Sequence, residues 1–167
     1  LSGNKSSIKY HPHTYYEISK YYCEKLIVDN FSVNKLSVLR LPGVYGLKNE
    51  SLINYLITTI KNNKNFFIFN KGHNKRCYLF ENDLCRVILY LINNPTNSII
   101  NLVSKEKYRI IDVVRFIEDQ LSIKARYKLR TNKENYDVIL NSNINKYYKN
   151  FNFTTYKNGI RKIIKNL

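Results

Sequence analysis

Apolar residues in this chain change their spacing over and over, from short unbroken runs to stripes three and four residues apart. A chain with that pattern has few folds open to it. Residues 36–41 (LSVLRL), 66–69 (FFIF) and 98–103 (SIINLV) read as strands, with a shorter run at 77–80. Between them Leu52, Ile53, Leu56, Ile57 and Ile60 keep helical spacing over 51–62, and Leu84, Val87, Ile88, Leu91 and Ile92 do so until Pro95 ends the pattern. A further amphipathic helix is predicted at 110–121, strands at 126–129 and near 138–140, and a last helix at 159–164. Asn82 or Asp83 is the expected cap of the third helix. Helices alternating with strands predict an α/β layered fold.

The segment 14–27 (TYYEISKYYCEKLI) carries the strongest local signal. Thr14 followed three residues later by Glu17 is a capping box, in which each side chain accepts a hydrogen bond from the other's backbone N–H. Tyr16 then falls in the first turn, and Lys20 lies one turn on along the same face. An ammonium beside a phenol favours the phenolate and eases proton transfer to or from its oxygen. The spacing alone decides little, because Tyr21 and Lys25 repeat it within a chain of 15 tyrosines.

At 167 residues and 44% apolar content, the chain is long enough for one domain with its own core. Its net charge of +16 raises the question of a polyanion partner. The lysines are scattered rather than gathered in a block, so no nucleic-acid partner is expected. Cys23, Cys77 and Cys85 lack a metal-ligand spacing and sit in apolar segments, which predicts buried, reduced thiols and a cytoplasmic protein. Two histidines, His11 and His13 around Pro12, make a poor metal site, and no metal is expected. No run approaches a spanning length, so no membrane partner is expected either. The chain opens on Leu1 in polar loop sequence, from which a fragment lacking something on its N-terminal side is expected.

Three segments, in this order, resemble the extended short-chain dehydrogenase/reductase family, specifically its NAD-dependent epimerase/dehydratase group acting on nucleotide sugars. They are Tyr16-Glu17-Ile18-Ser19-Lys20 with Glu24; Leu39-Arg40-Leu41-Pro42-Gly43-Val44-Tyr45-Gly46; and the segment 72–84, with Gly72 and Arg76 leading to Asp83. Residues 100–103 and 158–162 are weaker echoes. The resemblance favours Tyr16 and Lys20 over Tyr21 and Lys25. It implies the C-terminal part of a Rossmann-like, doubly wound fold plus a small α/β substrate-binding lobe. On that division residues 1–50 end the Rossmann part, 51–167 are mostly substrate lobe, and 82–103 return to the Rossmann part.

The same resemblance implies roles. Tyr16 would be the acid/base on a sugar hydroxyl, and Lys20 would hold the nicotinamide ribose. Pro42, Gly43 and Val44 would lie against the nicotinamide of NAD or NADP. Arg76 would bind the substrate's diphosphate, with Gly43 and Tyr45 beside the substrate, and a homodimer would form through the Tyr-x-x-x-Lys helix. The family's Gly-rich phosphate turn is not among the glycines at 3, 43, 46, 72 and 159, so the first strands of the sheet are expected to be missing. Ser2 stands too near Tyr16 to be the Ser or Thr that partners the family's tyrosine. The implied function is nucleotide-sugar epimerase, dehydratase or 4-keto reductase, with the chain alone expected to be inactive. An inactive remnant of such an enzyme, or a basic nucleic-acid-binding domain, are the alternatives.

Overall fold

A computed structural model describes residues 14–30, 36–131 and 141–167. The sequence readings at Ser2, Gly3, His11, Pro12, His13 and the strand near 138–140 lie outside these. The described chain runs α1 (Tyr15–Asn30), β1 (Ser37–Arg40), β2 (Gly43–Tyr45), α2 (Leu52–Lys61), β3 (Asn65–Phe69), β4 (Lys75–Arg76), β5 (Tyr78–Phe80) and α3 (Glu81–Asn93). It continues with β6 (Ser98–Asn101), β7 (Tyr108–Arg109), α4 (Ile110–Leu121), β8 (Arg126–Arg130) and α5 (Tyr156–Lys165). Short 3-10 turns occupy Asn70–Gly72 and Ile144–Lys146.

The strands pair two by two: β1 with β6, β2 with β5 and β3 with β8, all parallel, and β4 with β7 antiparallel. Parallel partners need a crossover between them, and the helices supply it. This is the predicted α/β fold. The far edge of β6 is closed by a side chain. Asn101 N–H donates to Asn143 Oδ1 at 2.7 Å, and Asn143 Nδ2 donates to the Ile99 carbonyl at 3.2 Å, so one asparagine does the work of a neighbouring strand.

Two apolar clusters form the core. The larger joins α2, α4 and α5 to β2, β3 and β5 through Tyr45, Ile53, Ile57, Phe66, Phe80, Val114, Ile117 and Ile160. The smaller joins α3 to β6 and to the segment 144–151 through Leu79, Val87, Ile100, Leu102, Ile144 and Phe151. Periodicity places α2 as read, with Ser51 accepting from the Asn54 N–H at 3.2 Å as its cap. The 110–121 helix matches its reading residue for residue. The last helix starts three residues earlier than read, because Thr155 caps it by accepting from the Asn158 N–H.

Several expectations are corrected. The helix α3 begins at Glu81, with Phe80 in the cap position and no side-chain cap, so neither Asn82 nor Asp83 caps it. Asp83 sits inside the first turn with its carboxylate turned to a distant segment. The strand β1 is half-buried rather than buried. Of the cysteines, Cys77 is buried, whereas Cys23 and Cys85 are exposed. Cys23 lies on α1, a helix with no buried residue, and Cys85 lies on the face of α3 away from Asp83, Val87 and Leu91. All three thiols are free.

Candidate functional site

The capping box predicted at the start of α1 forms in both directions. Glu17 N–H donates to Thr14 Oγ1 and Thr14 N–H donates to a Glu17 carboxylate oxygen, each at 3.2 Å. The cap fixes where the helix starts, and so which residues share its faces. Tyr16 is 71% exposed, and the Lys20 ammonium lies over its ring, 5.5 Å from the centroid. The two side chains are therefore adjacent and open to a ligand, with Ser19 turned back on the Tyr16 carbonyl at 2.7 Å.

The helix is tied to the sheet one turn beyond Lys20. Arg40, the last residue of β1, donates through Nε and Nη2 to the two carboxylate oxygens of Glu24, at 2.9 and 2.6 Å. These hydrogen bonds raise the basicity of the guanidinium further, so Arg40 stays charged. Immediately after Arg40 the chain turns through Leu41 and half-buried Pro42 into β2, where Gly43 pairs with Tyr78 and Val44 with Leu79. A Cβ at Gly43 would stand 3.1 Å from the Tyr78 ring, tighter than an ordinary contact. Pro42 and Gly43 thus stand beyond the carboxyl end of a parallel strand, where open α/β sheets bind ligands.

Arg76 is half-buried in β4, opposite Tyr108 on β7. It stands close enough to Tyr78 for its charge to oppose the effect of burial on that phenol. Tyr45, expected beside the substrate, lies in the core of this chain. Its ring is 1% exposed and packs edge-on to Tyr78 and tilted against Phe80, so its placement is that of a core residue. Burial pushes its phenol well above the ordinary tyrosine range, with the nearby Asp83 and Glu106 carboxylates adding to the effect.

A residue missed as a structural element is Asp83. Its 1% exposed carboxylate accepts from the Thr154 N–H at 2.7 Å, the Thr154 hydroxyl at 3.0 Å and Arg86 Nη1 at 3.2 Å. It pins the segment leading into α5 onto α3. No local pattern could have shown this, since the partner lies 71 residues away.

Phenol, ammonium and the turn after β1 are groups of the kinds that the nicotinamide and ribose end of a dinucleotide could take: an oxygen able to exchange a proton, a cation able to meet hydroxyls, and a residue without a side chain at Gly43. No described helix opens on a glycine-rich turn, so the pyrophosphate end has no such seat among the described residues. Neither does a group of three or more His, Cys, Asp or Glu side chains suited to a metal occur among them.

The model of the NAD dependent epimerase/dehydratase family matches residues 2–103. The chain belongs to that family. No curated protein matches it. Among solved structures of the family's kind, dTDP-glucose 4,6-dehydratase from Bacillus anthracis, in complex with NAD, superposes with a TM-score of 0.80 at 18% identity, over 93% of this chain and 52% of that one. UDP-glucuronic acid 4-epimerase from Bacillus cereus, in complex with UDP-glucuronic acid and NAD, gives 0.80 at 19% identity, over 93% and 54%. ADP-L-glycero-D-manno-heptose-6-epimerase from Helicobacter pylori gives 0.83 at 14% identity, over 99% and 55%. At these identities the likeness is one of fold, and the chain spans about half the length of the structures it matches.

Proposed function

We propose that this family member is part of an NAD(P)-dependent enzyme that modifies a nucleotide sugar by epimerisation, dehydration or keto reduction. The observation that carries the reading is the capped, exposed Tyr16/Lys20 pair on a helix bound to the end of β1, in a chain of the epimerase/dehydratase family. NAD(P), when bound, supplies the acceptor and donor of hydride. Tyr16 moves the proton of the sugar hydroxyl to or from its phenolic oxygen, and the Lys20 ammonium at its ring holds the ribose hydroxyls and steadies the developing charge. Pro42, Gly43 and Val44 form the wall on which the nicotinamide lies. Arg76, with its planar fork of donors, takes the substrate's diphosphate.

Residues 1–50 and 82–103 belong on this reading to the Rossmann part and the rest to the substrate lobe, which agrees with the pairing of β6 with β1. A second copy docks along α1, supported by the exposure of Tyr15, Tyr22 and Leu26 there. The enzyme works in the cytoplasm, in keeping with its free thiols. Among the described residues no helix is long and apolar enough to cross a membrane.

Steady-state kinetics of the full-length protein test the substrate end. A diphosphate contact far from the reacting carbon is made equally in ground and transition states, so it acts on KM. Arg76→Ala is expected to raise KM for the nucleotide sugar about tenfold or more while kcat stays within about twofold. A loss confined to kcat would remove Arg76 from this role, and turnover without a nucleotide sugar would overturn the substrate class.

A further inference from the structure

The strand pair β2–β5 carries both ends of the proposed site. Gly43 and Val44 of the nicotinamide wall lie on β2, and Arg76 stands two residues ahead of Tyr78, the partner of Gly43 on β5. Each strand is three residues long, and the pair runs between the two clusters: Val44 and Leu79 pack in the smaller, Tyr45, Tyr78 and Phe80 in the larger. Burial of alternate residues on both faces fixes which residues pair. A ladder so short has few rungs to stop its strands from sliding or splaying by a fraction of a residue.

A side chain supplies a further rung at the carboxyl end. Half-buried Glu81, the residue after β5, accepts from the Leu47 N–H at 2.7 Å, two residues past the end of β2. Its carboxylate lies directly on Gly46, where a Cβ would overlap it. Among the described glycines only Gly72 has a positive φ, so the missing side chain at Gly46 leaves room for Glu81 rather than freeing the backbone. Other contacts shape the same stretch from within. Asn49 Nδ2 donates to the Val44 carbonyl and Gly46 N–H to Asn49 Oδ1, both at 3.2 Å, and Asn54 Nδ2 donates to the Gly46 carbonyl at 2.6 Å. These asparagines are near in sequence and set the form of the turn. Glu81 lies 34 residues from Leu47 and sets where that turn stands against β5.

We propose that Glu81 is a positioning residue: seated on Gly46 and bonded to the Leu47 N–H, it holds β2 against β5 and so keeps the nicotinamide wall at a set distance from Arg76. This rests on the reading of Pro42, Gly43, Val44 and Arg76 given above. The reacting carbon of a nucleotide sugar and its diphosphate are joined by covalent bonds, so the wall and Arg76 must be in step for hydride to pass. Misplacement by about an ångström can cost two orders of magnitude in rate. Either ligand bound alone is indifferent to that alignment. The contact therefore acts on the transfer rate and not on the separate affinities.

Three measurements on the full-length protein test this. Residue-resolved amide hydrogen exchange is expected to show Leu47 N–H protected in the wild type and in Glu81→Gln, whose amide oxygen still accepts, and exchanging about tenfold faster or more in Glu81→Ala. Calorimetric titration with NAD and, separately, with UDP, dTDP, GDP and ADP as diphosphate probes should leave the affinities of each variant within about twofold of the wild type. Single-turnover reduction of NAD by the nucleotide sugar should fall about tenfold or more in Glu81→Ala and stay within about threefold in Glu81→Gln. Gly46→Ala crowds the carboxylate off its seat, so it should reproduce the loss in the wild type and add little to Glu81→Ala. A Glu81→Ala rate close to that of the wild type overturns the inference, as does a rate loss matched by lost affinity, a Glu81→Gln rate as low as that of Glu81→Ala, or losses in Gly46→Ala and Glu81→Ala that multiply. Unchanged Leu47 protection in Glu81→Ala overturns the contact itself. A wild type that binds none of the diphosphates or reduces no NAD overturns the functional reading and the role assigned here with it, while the exchange arm still reports whether Glu81 joins the two strands.

Discussion

Asp83 shows how much one side chain can hold together. Its carboxylate binds the Thr154 N–H and hydroxyl and the Arg86 guanidinium, while Arg86 also donates to the Asn152 carbonyl at 3.3 Å and lies over the Phe151 ring at 4.7 Å. Segment 151–155 is thereby clamped before it enters α5. Asp83→Ala leaves two part-buried donors of Thr154 without an acceptor, and is expected to cost about 1–3 kcal/mol of unfolding free energy. A lowered urea midpoint at unchanged slope checks this, and a loss below about 0.5 kcal/mol would show that water replaces the carboxylate. The sequence gives an acidic residue near a helix start, for which a cap is the economical local reading. What it withholds is that the partner is a threonine 71 positions on, because long-range partners leave no trace in local spacing. Tyr16 and Lys20 were legible for the opposite reason: their geometry is set within one helical turn by the Thr14/Glu17 box. The burial of Tyr45 was not legible because a strand residue two positions past a turn has two faces open to it, and packing against Gly159 decides between them. A Cβ at Gly159 would overlap the Tyr45 phenol.

At the level of elements, helices with an apolar stripe were read well, and strands of two or three residues less well. Positions 111, 113, 114 and 117 of α4 are buried on the face that periodicity names. β4 and β7, two residues each, have no period to show. What unites the short strands is a ladder of rings: Tyr78 stacks on Tyr108 at 5.6 Å and Tyr108 on Tyr156 at 4.3 Å, linking β5, β7 and α5. Burial pushes the Tyr78 phenol up to about 12, with Arg76 opposing, and drives Tyr45 and Tyr108 higher. A phenol whose value is raised on folding stabilises the fold fully below its unfolded value, about 10, and that contribution is lost as pH rises through the folded value. Denaturant unfolding is therefore expected to show stability falling as pH climbs from about 10 towards 12, with the last tyrosinate absorbance appearing together with unfolding. Tyr78→Phe should flatten that fall. Smooth ionisation of all 15 tyrosines near their ordinary value, with the fold intact, would contradict the burial of the ladder.

Across the whole molecule the two clusters divide the labour. The larger one builds a lobe around α2, α4 and α5, and the smaller one backs the β1–β6 pair from which the turn at Pro42 departs. The α/β class was legible because alternating periods leave few other layered solutions. The split into four two-stranded pairs was not, since pairing of strands far apart in sequence depends on tertiary packing. The exposed α1, carrying Tyr16 and Lys20, stands where the smaller unit meets its ligand on the proposed reading. The most direct measurement is a single turnover of the full-length protein, loaded with NAD and mixed with its nucleotide sugar, followed by the absorbance of reduced nicotinamide. Tyr16→Phe removes one oxygen and leaves Lys20 and the wall in place, so NAD affinity should remain within about twofold of the wild type while the rate of nicotinamide reduction falls by about a hundredfold or more. A Tyr16→Phe protein that reduces nicotinamide at close to the wild-type rate would contradict the assignment of Tyr16 as the proton-transferring group.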